Sequence, residues 1–149
     1  MTIRPAAAGD VPAIIELERS APTAAHWSLA QYEAMVNAPQ AAGRVVLVAD
    51  DDGRVDGFIV WRVGADEWEI ENVVVAEAAR RSGLGRQLVE ALLKRARDAH
   101  ARAVFLEVRE SNLFARGLYR ACGFQKSGRR RGYYNCPTED AILYTLVFS

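Results

Sequence analysis

Between Val73 and Arg86 the chain passes from three consecutive valines into Arg80-Arg81-Ser82-Gly83-Leu84-Gly85-Arg86. The valines read as a strand and the residues after Gly85 have helical spacing, so a glycine-containing loop opens a helix. A helix start presents N–H groups without intrahelical partners and the positive end of its dipole, which together attract an anion. Glycines let the backbone approach closely, and Arg80, Arg81 and Arg86 add charge that matches a pyrophosphate or a 3′-phosphate. The other reading of this segment is an ordinary strand-to-helix turn with solvated arginines. It is neither G-x-x-x-x-G-K-[ST] nor G-x-G-x-x-G, so nucleoside triphosphate and dinucleotide sites lose support.

Further along, Phe105, Glu107 and Arg109 alternate with Val104, Leu106 and Val108. Glu107 therefore leaves the more aliphatic face, where it meets a cleft or stays a solvated carboxylate. Asn112 and Tyr119 are seven residues apart, within about 20° on one helical face, so a helix that offers Asn112 to a ligand also offers Tyr119. Taken alone, Tyr119 reads first as a core or rim aromatic. Glu69 and Glu71, on the strand before the glycine loop, are rival carboxylates for the same cleft. Cys122 and Cys136 read as inert thiols, since nothing places a His beside them. No G-x-S-x-G occurs, which leaves serine hydrolysis unsupported.

These residues need a scaffold. Thr2 to Pro5 reads as a strand, and Asp10 as the cap of a helix that carries Val11, Ile14 and Ile15. Ser28 and Gln31 form an S-x-x-Q capping box, with Trp27 and Tyr32 as a hydrophobic staple, for a helix over Leu29 to Asn37. Arg44 to Asp50, a turn at Asp51-Asp52-Gly53, and Val55 to Val63 make a hairpin. Trp68 to Val75 extends it, with Trp68, Ile70, Asn72 and Val74 on one face and Glu67, Glu69, Glu71, Val73 and Val75 on the other. A helix from Gly85 to His100, a strand over Val104 to Val108 and a helix from the Ser111-Asn112 cap through Cys122 follow. Strands near Gln125 to Tyr134 and Ala141 to Phe148 close an order β-α-α-β-β-β-α-β-α-β-β on one sheet.

The chain has 149 residues, 50% of them apolar, which fits one domain over residues 1–149. No apolar run reaches the roughly 20 residues of a membrane span, and no signal core is visible, so a cytoplasmic protein with no membrane partner is expected. The two cysteines and two histidines lack zinc-ligand spacing, so neither a metal nor a disulfide scaffold is expected. The 19 acidic and 19 basic residues balance, but residues 1–75 hold 12 acids and 5 bases and residues 76–149 the reverse excess. An acidic half draws in a cationic ligand and a basic half an anionic one. Arg129-Arg130-Arg131 reads as a solvated patch, and no nucleic-acid partner is expected.

R-x-x-G-x-G at Arg80 to Gly85, the preceding strand EIENVVV, LEVRESN at Leu106 to Asn112 and LYRACGF at Leu118 to Phe124 resemble the GCN5-related N-acetyltransferases (GNAT). The Tyr twelve residues after the Glu of LEVRESN, and the tail GRRRGYYNCPTEDAILY, are most similar to the RimI-type ribosomal-protein-alanine N-acetyltransferases. The resemblance covers Arg44 to the end, and the first 40 residues only in outline. It implies a mixed α+β fold: a mostly antiparallel twisted sheet of about seven strands, four flanking helices, and central strands that splay to hold acetyl-CoA. It also implies that backbone groups of Val73, Val74 and Val75 hold the pantetheine arm and polarise the thioester, and that N–H groups of Arg81, Ser82, Gly83, Leu84, Gly85 and Arg86 hold the pyrophosphate. Asn112 would bond the cofactor, Glu107 would be the general base and Tyr119 the general acid. His26-Trp27-Ser28 would line the acceptor site, and Tyr133-Tyr134 would shape its groove.

The implied proton chemistry suits these residue types. An α-amine of pKa roughly 8 needs one modest base near pH 7, and a thiolate of pKa about 8.5 takes a proton from a phenol in a low-dielectric cleft. A lysine amine, about 2.5 units higher, has a neutral fraction several hundred-fold smaller. This chemistry favours an α-amine, and the resemblance implies that the acceptor is a protein N-terminus, foremost that of a ribosomal protein beginning with Ala. A small amine or a lysine side chain, or a non-enzymatic acyl-CoA sensor, stands behind it. Glu67, Glu69 and Glu71 are expected to attract an acceptor whose first residues are basic.

Overall fold

The computed structural model describes residues 1–21 and 26–149. Its strands are β1 (Thr2–Pro5), β2 (Arg44–Asp51), β3 (Arg54–Val63), β4 (Glu67–Val75), β5 (Ala103–Arg109), β6 (Gln125–Tyr134) and β7 (Glu139–Val147). Its helices are α1 (Val11–Arg19), α2 (Leu29–Asn37), α3 (Pro39–Ala42), α4 (Leu84–Asp98) and α5 (Leu113–Ala121). The strands form the expected seven-stranded sheet, in the order β1-β2-β3-β4-β5-β7-β6. Every neighbouring pair is antiparallel except β4–β5. Beside the four expected helices stands α3, a single turn that begins on Pro39 and stops at Gly43 in the left-handed region (φ 68°). One turn is too short to leave a periodic apolar pattern.

Local chemistry explains most boundaries. Asp52 and Gly53 both have positive φ (54° and 90°), the hairpin geometry whose twist matches the strands, and Asp51 pairs with Arg54 across them. Ser28 Oγ accepts from the Gln31 N–H (3.1 Å), Gln31 Oε1 accepts from the Ser28 N–H (2.8 Å), and the Trp27 and Tyr32 rings meet edge to face at 5.6 Å. Asp10 departs from expectation. Its carboxylate does not cap α1 but accepts from the Ala7 N–H (2.7 Å) and from Arg4 (2.7 and 3.0 Å), because a 3₁₀ turn over Ala8–Asp10 faces it back toward β1.

The main correction concerns β4. Val60 pairs with Asn72 and Trp61 with Ile70, so Glu71 is an extra residue, a β-bulge. One inserted residue exchanges the faces beyond it. Trp68 and Ile70 thus share the α4-side core with Val73 and Val75, whereas Val74 packs with Tyr32, Phe58 and Val60 beneath α1 and α2. The expected single face of Trp68, Ile70, Asn72 and Val74 is divided. Past the bulge, β4 leaves β5: their pairing runs only from Glu67↔Ala103 to Ile70↔Leu106. Val73 to Val75 continue along β3, and Glu107 to Arg109 continue along β7. The expected splay opens between these two ends.

Candidate active site

A cleft of about 410 Å³ lies at the splay, walled by Val73, Val74 and Val75 on β4, Asn112, Ala115 and Tyr119 from α5, and Arg80, Arg81 and Gly85. A second hollow of about 440 Å³ adjoins it, shares Val75, Arg80, Arg81, Gly85, Phe114 and Leu118, and reaches Gly83, Leu84 and Arg86. Together they make one trough from the Tyr119 ring to the start of α4. The predicted glycine loop, valine strand and Asn112–Tyr119 face therefore converge.

At the α4 end, Gly83 caps the helix with φ 82°, and the first helical bond runs from the Gln87 N–H to the Gly83 carbonyl (3.0 Å). The N–H groups of Leu84, Gly85 and Arg86 precede that bond at the positive end of a 15-residue helix. Gly83 is a matter of backbone shape, since nothing lies within 4 Å of where its Cβ would stand. Gly85 is a matter of space: a Cβ there would sit 3.3 Å from Leu118 Cδ2 and 3.8 Å from Val75 Cγ2. The three arginines differ. All three line the trough, but the Arg86 guanidinium is bound to Glu90 at 2.8 Å, one turn along α4, so its charge is partly matched within the helix. Ser82 Oγ donates to the Ala79 carbonyl and shapes the loop.

Asn112 Oδ1 caps α5 by accepting from the Ala115 N–H (3.2 Å), while the residue also lines the cleft. Seven residues on, Tyr119 is buried, its ring 5.7 Å from that of Phe124 and its edge on the cleft. Burial, with smaller contributions from the Cys122 thiol and the Tyr134 phenol, holds the Tyr119 hydroxyl well above the ordinary phenol range. It is a protonated group at any working pH.

Glu107 stands apart from these. Leu106 and Val108 share the α4-side core with Tyr119, so Glu107 lies on the other face of β5 and is not on the cleft wall. Its carboxylate, 13% exposed, forms an ion pair with Arg130 of β6, Oε1 standing 3.0 Å from Nε. Tyr134 is within electrostatic reach of both predicted groups: burial first and Glu107 second raise its own hydroxyl, and it in turn raises Tyr119. The rival carboxylates are engaged as well. Glu71 accepts two bonds from Arg44 (2.6 and 3.2 Å), Glu69 pairs with Arg62 (2.8 Å), and Glu67 pairs with Arg102. The expected acidic attraction of this strand is thus matched charge for charge by neighbouring arginines.

Sequence reasoning missed several residues. Phe114 and Leu118 wall both hollows, and Leu113 and Phe114 are 70% and 66% exposed; two apolar side chains directly after a helix cap were the available signal. Glu18 on α1 was missed too. Buried at 4% exposure, it accepts from the Trp27 N–H (3.2 Å) and the Tyr32 hydroxyl and contacts His26 Nδ1 (3.0 Å). It thereby ties His26 and Trp27 to α1 and α2. Its spacing from Val11 and Ile14 puts it on the apolar face of α1, the one sign that it would be buried. The Tyr32 hydroxyl also meets Asn72 of β4.

Residues 11–124 match the Acetyltransferase (GNAT) family. The [Ribosomal protein bS18]-alanine N-acetyltransferase of Salmonella typhimurium is 39% identical over 107 residues, 69% of this chain and 70% of that protein. The crystal structure of the ribosomal-protein-S18-alanine N-acetyltransferase from Escherichia coli superposes with a TM-score of 0.85 at 31% identity, over 99% of this chain and 94% of that one. The yncA structure from Salmonella typhimurium, solved with its cofactor acetyl-CoA, superposes with a TM-score of 0.86 at 26% identity over 100% and 94% of the two chains. With a bulged β4 leaving β5 beside a glycine-opened helix, and with these likenesses along nearly its whole length, the chain belongs to the GNAT acetyltransferase family.

Proposed function

We propose that this protein is an acetyl-CoA-dependent N-acetyltransferase that acts on the α-amine of a protein N-terminus, namely the N-terminal alanine of a ribosomal protein. The observation that carries this reading is the extent of the likeness to the Escherichia coli S18-alanine enzyme, which takes in α1, α2 and the β6–β7 hairpin as well as the trough. A ribosomal acceptor makes the cytoplasm the place of action.

The trough fits the cosubstrate. Its α4 end offers three helix-start N–H groups together with Arg80 and Arg81, a donor set for a pyrophosphate, and its β4 end offers Val73 to Val75 beyond the reach of β5. Those backbone groups would hold the pantetheine arm, and Asn112 would bond the cofactor beside them. When bound, acetyl-CoA supplies an acetyl group already activated as a thioester. Glu107 takes a proton from the acceptor's ammonium, directly or through a water, and Tyr119 keeps a proton for the leaving sulfur. Glu107 on one side of β5 and Tyr119 of α5 on the other support a reading in which amine and thioester approach from different sides.

The test is a competition among an Ala-started peptide, the same peptide with its N-terminus blocked and its lysines free, and spermidine, scored by kcat/KM. The Ala-started peptide is expected to lead. Faster turnover of the blocked peptide or of spermidine overturns the N-terminal assignment.

A further inference from the structure

We propose that Arg130 is a displaceable gate on Glu107: its guanidinium occupies the carboxylate while no acceptor is present, and the acceptor's ammonium binds by taking its place. This rests on the reading of Glu107 as the group that receives the acceptor amine. Three observations carry it.

The first is the asymmetry of the pair. Glu107 is 13% exposed and held by the strand ladder, whereas the Arg130 side chain is 56% exposed and bound at 3.0 Å through Nε. The carboxylate is fixed and its cation is at the surface. The second is that the Arg130 guanidinium also sits beside an aromatic ring, its Cζ 5.3 Å from the centroid of Tyr133, so a cation released from Glu107 keeps an attractive neighbour. The neighbouring cation has the same two kinds of contact but is more enclosed: Arg109, 23% exposed, lies 4.3 Å over the Tyr134 ring and 3.3 Å from Glu139. The third is the backbone. Arg130 pairs with Ala141, the register then shifts, and the ladder resumes only at Tyr134↔Glu139, with Gly132 at φ 60° between. Arg130 is the last residue in register before an irregular stretch, so the ladder does not pair the residues that follow it.

The consequence is a competition at one carboxylate. Arg130 already matches the charge of Glu107 and holds its Oε1, so an ammonium that takes this contact spends part of its attraction on expelling Arg130, and a group without positive charge gains nothing from the exchange.

Calorimetric titration of an Ala-started peptide into the protein saturated with CoA, which permits no turnover, reads the exchange directly. Arg130→Gln should tighten peptide binding by roughly two- to fivefold, the scale of a partly exposed ion pair, and the difference should shrink in high salt. Arg130→Lys should stay near wild type. In a Glu107→Gln background the Arg130→Gln substitution should have no effect. Unchanged or weaker binding in Arg130→Gln, an equal gain without Glu107, or no peptide binding in any variant overturns the gate. A Glu107→Gln enzyme of normal kcat would remove the base assignment while leaving this binding cycle readable. Spermidine titrated in parallel shows the same exchange if the acceptor is a small amine.

Discussion

Replacing Tyr119 by Phe removes one hydroxyl and keeps the ring that packs at 5.7 Å on Phe124. General acids typically contribute 10²–10⁴-fold to rate, and the structure indicates which end of that range applies. A free phenol has a pKa near 10 and a thiol near 8.5, so the transfer is uphill by about 1.5 units, about 2 kcal/mol. Burial raises the Tyr119 hydroxyl further, which makes it a weaker donor, although a desolvated thiolate is raised by the same cause. Tyr119→Phe is therefore expected to lower kcat by about 10²-fold, the low end of the range, with acetyl-CoA affinity and Tm close to wild type. Because the hydroxyl stays protonated, Tyr119 gives kcat no alkaline limb below about pH 10. Steady-state release of free thiol across pH 6 to 10, calorimetry with acetyl-CoA and a thermal melt make the measurement. A Phe variant with kcat within threefold of wild type refutes the assignment, as does a wild-type alkaline limb below pH 10 that disappears on substitution.

Glu107→Gln should lower kcat by about 10²- to 10⁴-fold with little change in acetyl-CoA affinity; near-normal kcat in this variant would show that another group or water is the base. The two glycines should separate space from backbone shape. Gly85→Leu, forced against Leu118 and Val75, should lose acetyl-CoA binding by calorimetry, while Gly83→Ala, strained only by its φ of 82°, should cost about 1–2 kcal/mol and lower Tm by about 2–4 °C per kcal/mol. The Arg4 guanidinium, with the Ala7 N–H, holds the Asp10 carboxyl below its usual range, so this contribution to stability is present above the unfolded pKa of about 4 and is lost as pH falls toward the folded value. Asp10→Asn should therefore lower Tm at pH 7 and flatten its fall below about pH 4, and an unchanged acid slope would contradict the linkage.

The features legible in the sequence are those decided within a few residues of chain. The Asp52-Gly53 turn, the Ser28-Gln31 capping box, the glycine-opened start of α4 and the shared face of Asn112 and Tyr119 depend on backbone conformation and helical period, which residue type and spacing specify directly. Even the meeting of α4, α5 and β4 around one trough could be anticipated, because the resemblance supplied the topology that spacing could not. What only the tertiary structure decided involves partners far apart in the chain. The bulge at Glu71 is invisible to alternation because an inserted residue has no signature of its own, yet it moves Asn72 and Val74 to the face opposite Ile70 and sets where β4 leaves β5. The same holds for charge. Glu71 finds Arg44, Glu69 finds Arg62 and Glu107 finds Arg130, so carboxylates that look free in sequence are matched by strands brought alongside. Burial of Glu18 beneath α2 follows the same logic, since a carboxylate becomes tolerable in a core only once folding delivers the Trp27 N–H and the Tyr32 hydroxyl to it. Local conformation is an intrinsic property of the chain, whereas the electrostatic environment of each group is a property of its packed neighbours.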